Sequence, residues 1–173
     1  MKWKDKLLEQ LVDNLGSDTA WRTYIDKINN KQPEIAIHLA VFSDTILQDL
    51  LAGKKKVESR FSVNKISPHG KIRTGDLVLV KKSGGPIVAA FIARNITSFS
   101  NLTPSKIIAI RKEHEKKLAL SAADDFWNEK LKSKFATLFD IEKLRVICPV
   151  QIEKKDRLGW VILQERFKKE LFE

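Results

Sequence analysis

The chain has 173 residues, an apolar fraction of 43% and a formal net charge of +10. That is enough chain for one domain with a proper core, and the composition is that of a globular protein, not of a disordered one. The positive excess favours a polyanionic partner, with nucleic acid ahead of an anionic membrane surface.

The N-terminal segment reads as two helices. Leu7, Leu8, Leu11, Val12 and Leu15 form a stripe at helical spacing over residues 3–15, and Gly16 ends it. Ser17 or Asp18 caps a second helix over about 19–29, with Trp21, Tyr24, Ile25 and Ile28 on one face. Residues 35–41 then alternate as a strand, Ile35, Ile37, Leu39 and Val41 on one side and Ala36, His38 and Ala40 on a second, more polar side. Ser43 or Asp44 opens a short helix whose Ile46, Leu47, Leu50 and Leu51 turn inward, and Gly53 closes it.

A strand over 57–63 follows. Its period of two puts Glu58 and Arg60 on one face and Val57, Phe61 and Val63 on the core face. After a long loop over 64–75, two strands at 76–82 and 87–96 are joined through Ser83-Gly84-Gly85-Pro86. Thr103 caps a charged helix over 104–118 with Pro104 in its first turn. Ser121 and Asp124 make a capping box for a helix ending near Leu131. Strands at 134–147 and 160–163 precede a charged tail, 164–173. Short strand connections without a regular βαβ rhythm predict an α+β fold, a mostly antiparallel sheet curled into a small barrel with helices outside.

The densest cluster of chemistry is Gly53-Lys54-Lys55-Lys56-Val57-Glu58-Ser59-Arg60. A carboxylate and a guanidinium on one strand face, with Lys55 at the strand's mouth, can be a surface ion pair worth under about 1 kcal/mol. They can equally bind a phosphate or a base edge. Lys81, Ser83 and Gly84 form a second candidate, because glycine-rich turns let backbone N–H groups approach an anion. Lys154, Lys155 and Arg157 ahead of Trp160 form a third, either a solvated charge run or a contact for a nucleic-acid strand. Trp160 continues an apolar strand and reads as core.

Other chemistries find no support. His38, His69 and His114 are scattered and show no metal-ligand spacing, so neither a metal nor a cofactor is expected. Cys148, the one cysteine, lies in an apolar stretch and reads as core; it excludes a disulfide framework within the chain and agrees with a cytoplasmic protein. No secretory signal and no membrane span of about 18 apolar residues is expected.

The Gly53–Arg60 run resembles the Gly-x-Lys-x-x-Glu-x-Arg signature of the ASCH domain, a branch of the PUA-like superfamily, with Gly53, Lys55, Glu58 and Arg60 at its fixed positions. Further blocks at 75–86, 125–138 and 154–161 are similar in order, so the resemblance covers roughly residues 35–163. It implies a PUA-like barrel, assigned to 31–173; residues 1–30 lie outside the resemblance and are expected from their apolar stripes to form a helical hairpin packed upon it. The resemblance also implies a cleft lined by Lys55, Glu58 and Arg60, with Lys81 and Ser83 in reach, that binds RNA, a nucleotide or a modified base. One bacterial branch hydrolyses the acyl amide of N-acetylcytidine, with a lysine at the position of Lys55 and a threonine at that of Glu58. The replacement of that hydroxyl by Glu58 leans the expectation toward binding, with Lys55 and Glu58 as the catalytic candidates should an amidohydrolase or ribonuclease activity exist.

Overall fold

The computed structural model describes residues 3–119, 124–154 and 156–167. Among these, five helices span Trp3–Leu15 (α1), Thr19–Ile28 (α2), Asp44–Leu51 (α3), Pro104–Leu118 (α4) and Asp124–Lys130 (α5). Six strands span Ile37–Phe42 (β1), Val57–Ser62 (β2), Leu77–Lys82 (β3), Ile87–Phe99 (β4), Phe135–Val150 (β5) and Trp160–Gln164 (β6). The strands form one sheet in the order β2-β5-β4-β3-β1-β6. β1 and β3 run parallel and every other pair is antiparallel, which makes an α+β half-barrel.

The alternation of each strand sorts its side chains into two layers. Ala40, Phe42, Val78, Val80, Phe91 and Phe139 point into the curl, where α3 contributes Leu47 and Leu50. Ile37, Leu39, Leu77, Leu79 and Ile92 point outward and are covered by Leu7, Leu11 and Leu15 of α1 and Trp21, Ile25 and Ile28 of α2. A register shift opposite β3 and β5 lets Ile87 face the helices while Ala89 faces the curl. A third cluster joins Val57, Ala136 and Leu138 to Ile107, Ile110 and Leu118 of α4 and Trp127 of α5.

Several expectations need correction. β1 has no polar face: His38 is fully buried, because α1 and α2 cover one side of the sheet and the curl encloses the other. Val63 lies past the end of β2 and is exposed, as is Leu51 at the last position of α3. Cys148 is exposed because the alternation of β5 buries its neighbour Ile147 instead. β4 and β5 both run longer than their apolar pattern, since register shifts let the pair continue past polar positions. The Ser121 half of the capping box and residues 168–173 of the tail lie outside the described residues.

Asp76, just ahead of β3, staples the parallel pair. Its Oδ1 accepts from Ala36 N at 2.9 Å, and its Oδ2 accepts from Arg73 N at 2.7 Å and from the Arg166 guanidinium. His38 Nε2 lies 3.2 Å from the same Oδ2. Burial alone would raise this carboxyl, but the hydrogen bonds from His38, Arg166, Ala36 and Arg73 together outweigh it and hold the group below its ordinary value. A depressed carboxylate contributes stability that is present above the unfolded-state pKa and is lost as pH falls through the lower folded-state value. Asp76→Asn should therefore cost about 2–4 kcal/mol at neutral pH. The difference between the two proteins in thermal melts should shrink as pH drops below the ordinary carboxylate range.

Candidate functional site

β2 and β6 are the two edges of the sheet, and no backbone ladder joins them. One side chain spans the gap. Arg60 of β2 donates from Nη2 to Val41 O of β1 at 3.2 Å and from Nη1 to Gly159 O, just before β6, at 3.4 Å. Its Nε donates to Glu58 Oε1 at 2.7 Å. The guanidinium carbon sits 5.1 Å from the Phe42 ring centroid and 5.2 Å from that of Trp160. This is a cation–π contact with two rings.

Trp160 is itself fixed from below. Its indole Nε1 donates to His38 Nδ1 at 3.1 Å. An indole nitrogen can only donate, so Nδ1 must accept and the imidazole proton resides on Nε2, facing Asp76. A chain of contacts thus runs from the Asp76 carboxylate through His38 and Trp160 to the guanidinium.

Glu58 and Lys55 lie on the other side of Arg60. Gly53, at φ +70°, turns the chain out of α3 and brings Lys55 against the C-terminal end of α4. There its Nζ donates to Leu118 O at 3.4 Å and lies 3.3 Å from Glu58 Oε2. The carbonyl end of a helix favours a cation. Both side chains are only 4% exposed, so this is a buried ion pair. Lys55 is near Glu58 Oε2 without the alignment of a hydrogen bond, and that oxygen has no hydrogen-bond partner among the described residues.

These groups open into a cavity of about 240 Å³ lined also by Phe42, Ser43, Ile46, Phe61, Phe126 and Lys130. Phe61 and Phe126 meet edge to face at 6.4 Å, and Lys130 Nζ lies 4.8 Å from the Phe126 ring. The cavity therefore brings one buried carboxylate together with three cations, Lys55, Arg60 and Lys130, and apolar ring faces.

The other sequence candidates lie elsewhere. Lys81 shares the helix-covered face of the sheet with Leu79 and Ile87, and its Nζ donates to Lys82 O and Gly85 O at 3.1 and 2.5 Å. Burial, and then repulsion from Lys154, lower its pKa. Ser83 N donates to Phe42 O, and Gly84 adopts φ +67° at the tip of the β3–β4 turn; neither lines the cavity. Lys154 folds back on Asp156 Oδ1 and on Leu158 O. Arg157 is exposed, and Lys155 lies outside the described residues. Phe42, Lys130 and the carbonyls of Val41 and Gly159 carry no local sequence signal; the topology brings them together from distant segments. Among the described residues no group of His, Cys, Asp or Glu can hold a metal ion, and no helix is long and apolar enough to cross a membrane.

The same architecture occurs in a crystal structure of ASCH from Zymomonas mobilis, with TM-score 0.57 and 11% identity over 75% of this chain and 88% of that one. The chain has an ASCH-type fold. Two mutant forms of Zymomonas mobilis ASCH align equally well, with TM-scores of 0.57 and 0.58, identities of 11% and 10%, and 91% and 90% of those chains covered. No family model matches the sequence, and no curated protein matches it significantly.

In this ASCH-type barrel, Trp160→Phe should keep the ring but orphan the buried His38 Nδ1. We expect a loss of about 1–3 kcal/mol in denaturant unfolding. Trp160→Leu should cost more, because it also removes the ring face under Arg60.

Proposed function

We propose that the protein binds RNA or a nucleotide, including a modified base, in the cavity around Lys55, Glu58 and Arg60. The observation that carries this reading is Glu58, a buried carboxylate that lines a cavity bearing three aromatic rings and whose Oε2, 3.3 Å from Lys55 Nζ, accepts no hydrogen bond among the described residues. A buried ion pair is a poor stabilising device, since apolar residues of similar size serve a core as well or better. A buried carboxylate oxygen that accepts no hydrogen bond within such a pair costs still more. A ligand amine resolves both costs: the exocyclic amino group or ring N–H of a base donates to Oε2. Lys55 and Arg60 then supply donors for a carbonyl or phosphate, and Phe42, Phe61 and Phe126 supply apolar contact. The net charge of +10 favours the same class of ligand.

A second reading, hydrolysis of the bound molecule, draws on the enclosed Lys55–Glu58 pair at 3.3 Å. In it Lys55 stabilises developing negative charge and Glu58 acts as base.

Calorimetric titration with ribonucleotides and short RNAs, with product analysis, separates the two. Binding should weaken with salt as released counterions dictate. Arg60→Lys keeps the charge but loses the fork, and Glu58→Gln removes the charged acceptor; each should weaken binding by about 1–3 kcal/mol. Wild-type affinity in both variants would remove the cavity reading. Turnover by the unmodified protein would replace binding with catalysis. Glu58→Thr restores the hydroxyl of the amidohydrolase branch, so acylcytidine hydrolysis gained by that variant would mark the cavity as a quiescent form of that site.

A further inference from the structure

Arg60 lines more than one cavity. Past the guanidinium, a narrower passage of about 160 Å³ runs over Pro68 and His69. It opens into a groove of about 610 Å³ between Ile66 and Leu158, with Trp160 as its floor. Arg60 and Phe61 line both the first cavity and the passage, so the two compartments adjoin across these side chains.

Three features of the groove require an explanation. Ile66 and Leu158 are 58% and 61% exposed, an unusual setting for two large aliphatic side chains that share one concavity. Lys65 and Lys71 flank them, and no carboxylate lines either compartment among the described residues. The floor is fixed: His69 Nδ1 lies 3.3 Å from Ala136 O and from Thr137 Oγ1, its Nε2 lies 3.3 Å from Ser100 Oγ, and its ring packs edge to face on Phe135. Trp160 is held by His38. An apolar slot with a rigid aromatic floor and cationic rims suits a flat, uncharged ring joined to an anionic backbone.

Arg60 stands where the two compartments meet. Of its five N–H donors, one serves Glu58, one Val41 O and one, at 3.4 Å, Gly159 O. Two remain, on a side chain 24% exposed. An anion lying at the junction of the compartments could take them up.

We infer that the groove between Ile66 and Leu158 is a second nucleotide subsite, so that the protein takes two consecutive nucleotides of a single strand. One base occupies the Glu58 cavity, and the next lies between Ile66 and Leu158 over Trp160 and His69. The linking phosphodiester meets Arg60, and Lys65 and Lys71 follow the backbone outward. This rests on the nucleotide reading of the Glu58 cavity.

The test compares the four ribonucleoside 5′-monophosphates with the sixteen diribonucleotides by calorimetry. It uses the unmodified protein and an Ile66→Ser, Leu158→Ser double variant. Both positions are exposed, so the variant should fold, which its melting temperature checks. The best diribonucleotide should bind about tenfold more tightly than the best monophosphate. The variant should lose that gain while its monophosphate affinity stays within about twofold. If monophosphates bind and diribonucleotides gain nothing, the second subsite is wrong while the first stands, and an apolar peptide becomes the better occupant of the groove. A variant that weakens both ligands equally also overturns it. If neither ligand class binds, the Glu58 cavity reading fails and the subsite with it.

Discussion

A half-barrel has an open seam, and Arg60 is what spans it. A curled sheet whose edges do not meet leaves backbone groups unpaired on both sides. Here the Val41 carbonyl, and the Gly159 carbonyl that already accepts from Val41 N at 3.0 Å, each receive an N–H from a single guanidinium of the opposite edge strand. That arrangement fixes much else. Glu58 is needed beside Arg60 to offset its charge, Lys55 to offset the second carboxylate oxygen, and the α4 terminus to receive Lys55. Phe42 and Trp160 hold the guanidinium from its faces, and His38 and Asp76 hold Trp160. The polar atoms at the seam form one connected system, so a change at any of them is felt at the others.

On the binding reading proposed above, such a system unites structure and recognition in the same residues. Charges that close the barrel also line the cavity, so a ligand would meet groups already oriented by the fold. Preorganisation of this kind lowers the ordering cost of binding. It also explains why a polar network is tolerated where an apolar core would suffice: the groups are held in place by partners on every side but the one facing the cavity.

The alternation in the sequence made the strands legible, and it correctly put Glu58 and Arg60 on one face, since that depends only on the local period of two. It could not place Lys81. The same period puts Lys81 on the opposite side of the sheet from Phe42, but seeing this requires knowing which strands are neighbours and which face the helices cover. The parallel pairing of β1 with β3 was likewise hidden, because an alternating strand looks the same in either orientation. His38 shows the limit most clearly. An isolated histidine among alanines suggests a polar face, whereas the partners that bury and satisfy it, Asp76 and Trp160, lie 38 and 122 residues further along. Lys154 is the opposite case: its charge is met locally, by Asp156 and the Leu158 carbonyl two and four residues on, a pairing that a run of basic residues does not announce.

The position of β1 in the sheet has a consequence for the order of events during synthesis. β1 leaves the ribosome early, yet both its neighbours come later, β3 after α3 and β2, and β6 later still. Until residues 160–164 emerge, one edge of β1 is unpaired, Trp160 is missing from beneath Arg60, and the seam has only one wall. A nascent chain carrying Lys55, Glu58 and Arg60 thus has the charges of the cavity without its shape. Vectorial folding makes the completed cavity the last feature acquired, and the exposed edge of β1 is the segment most in need of protection while the chain waits for its final strand.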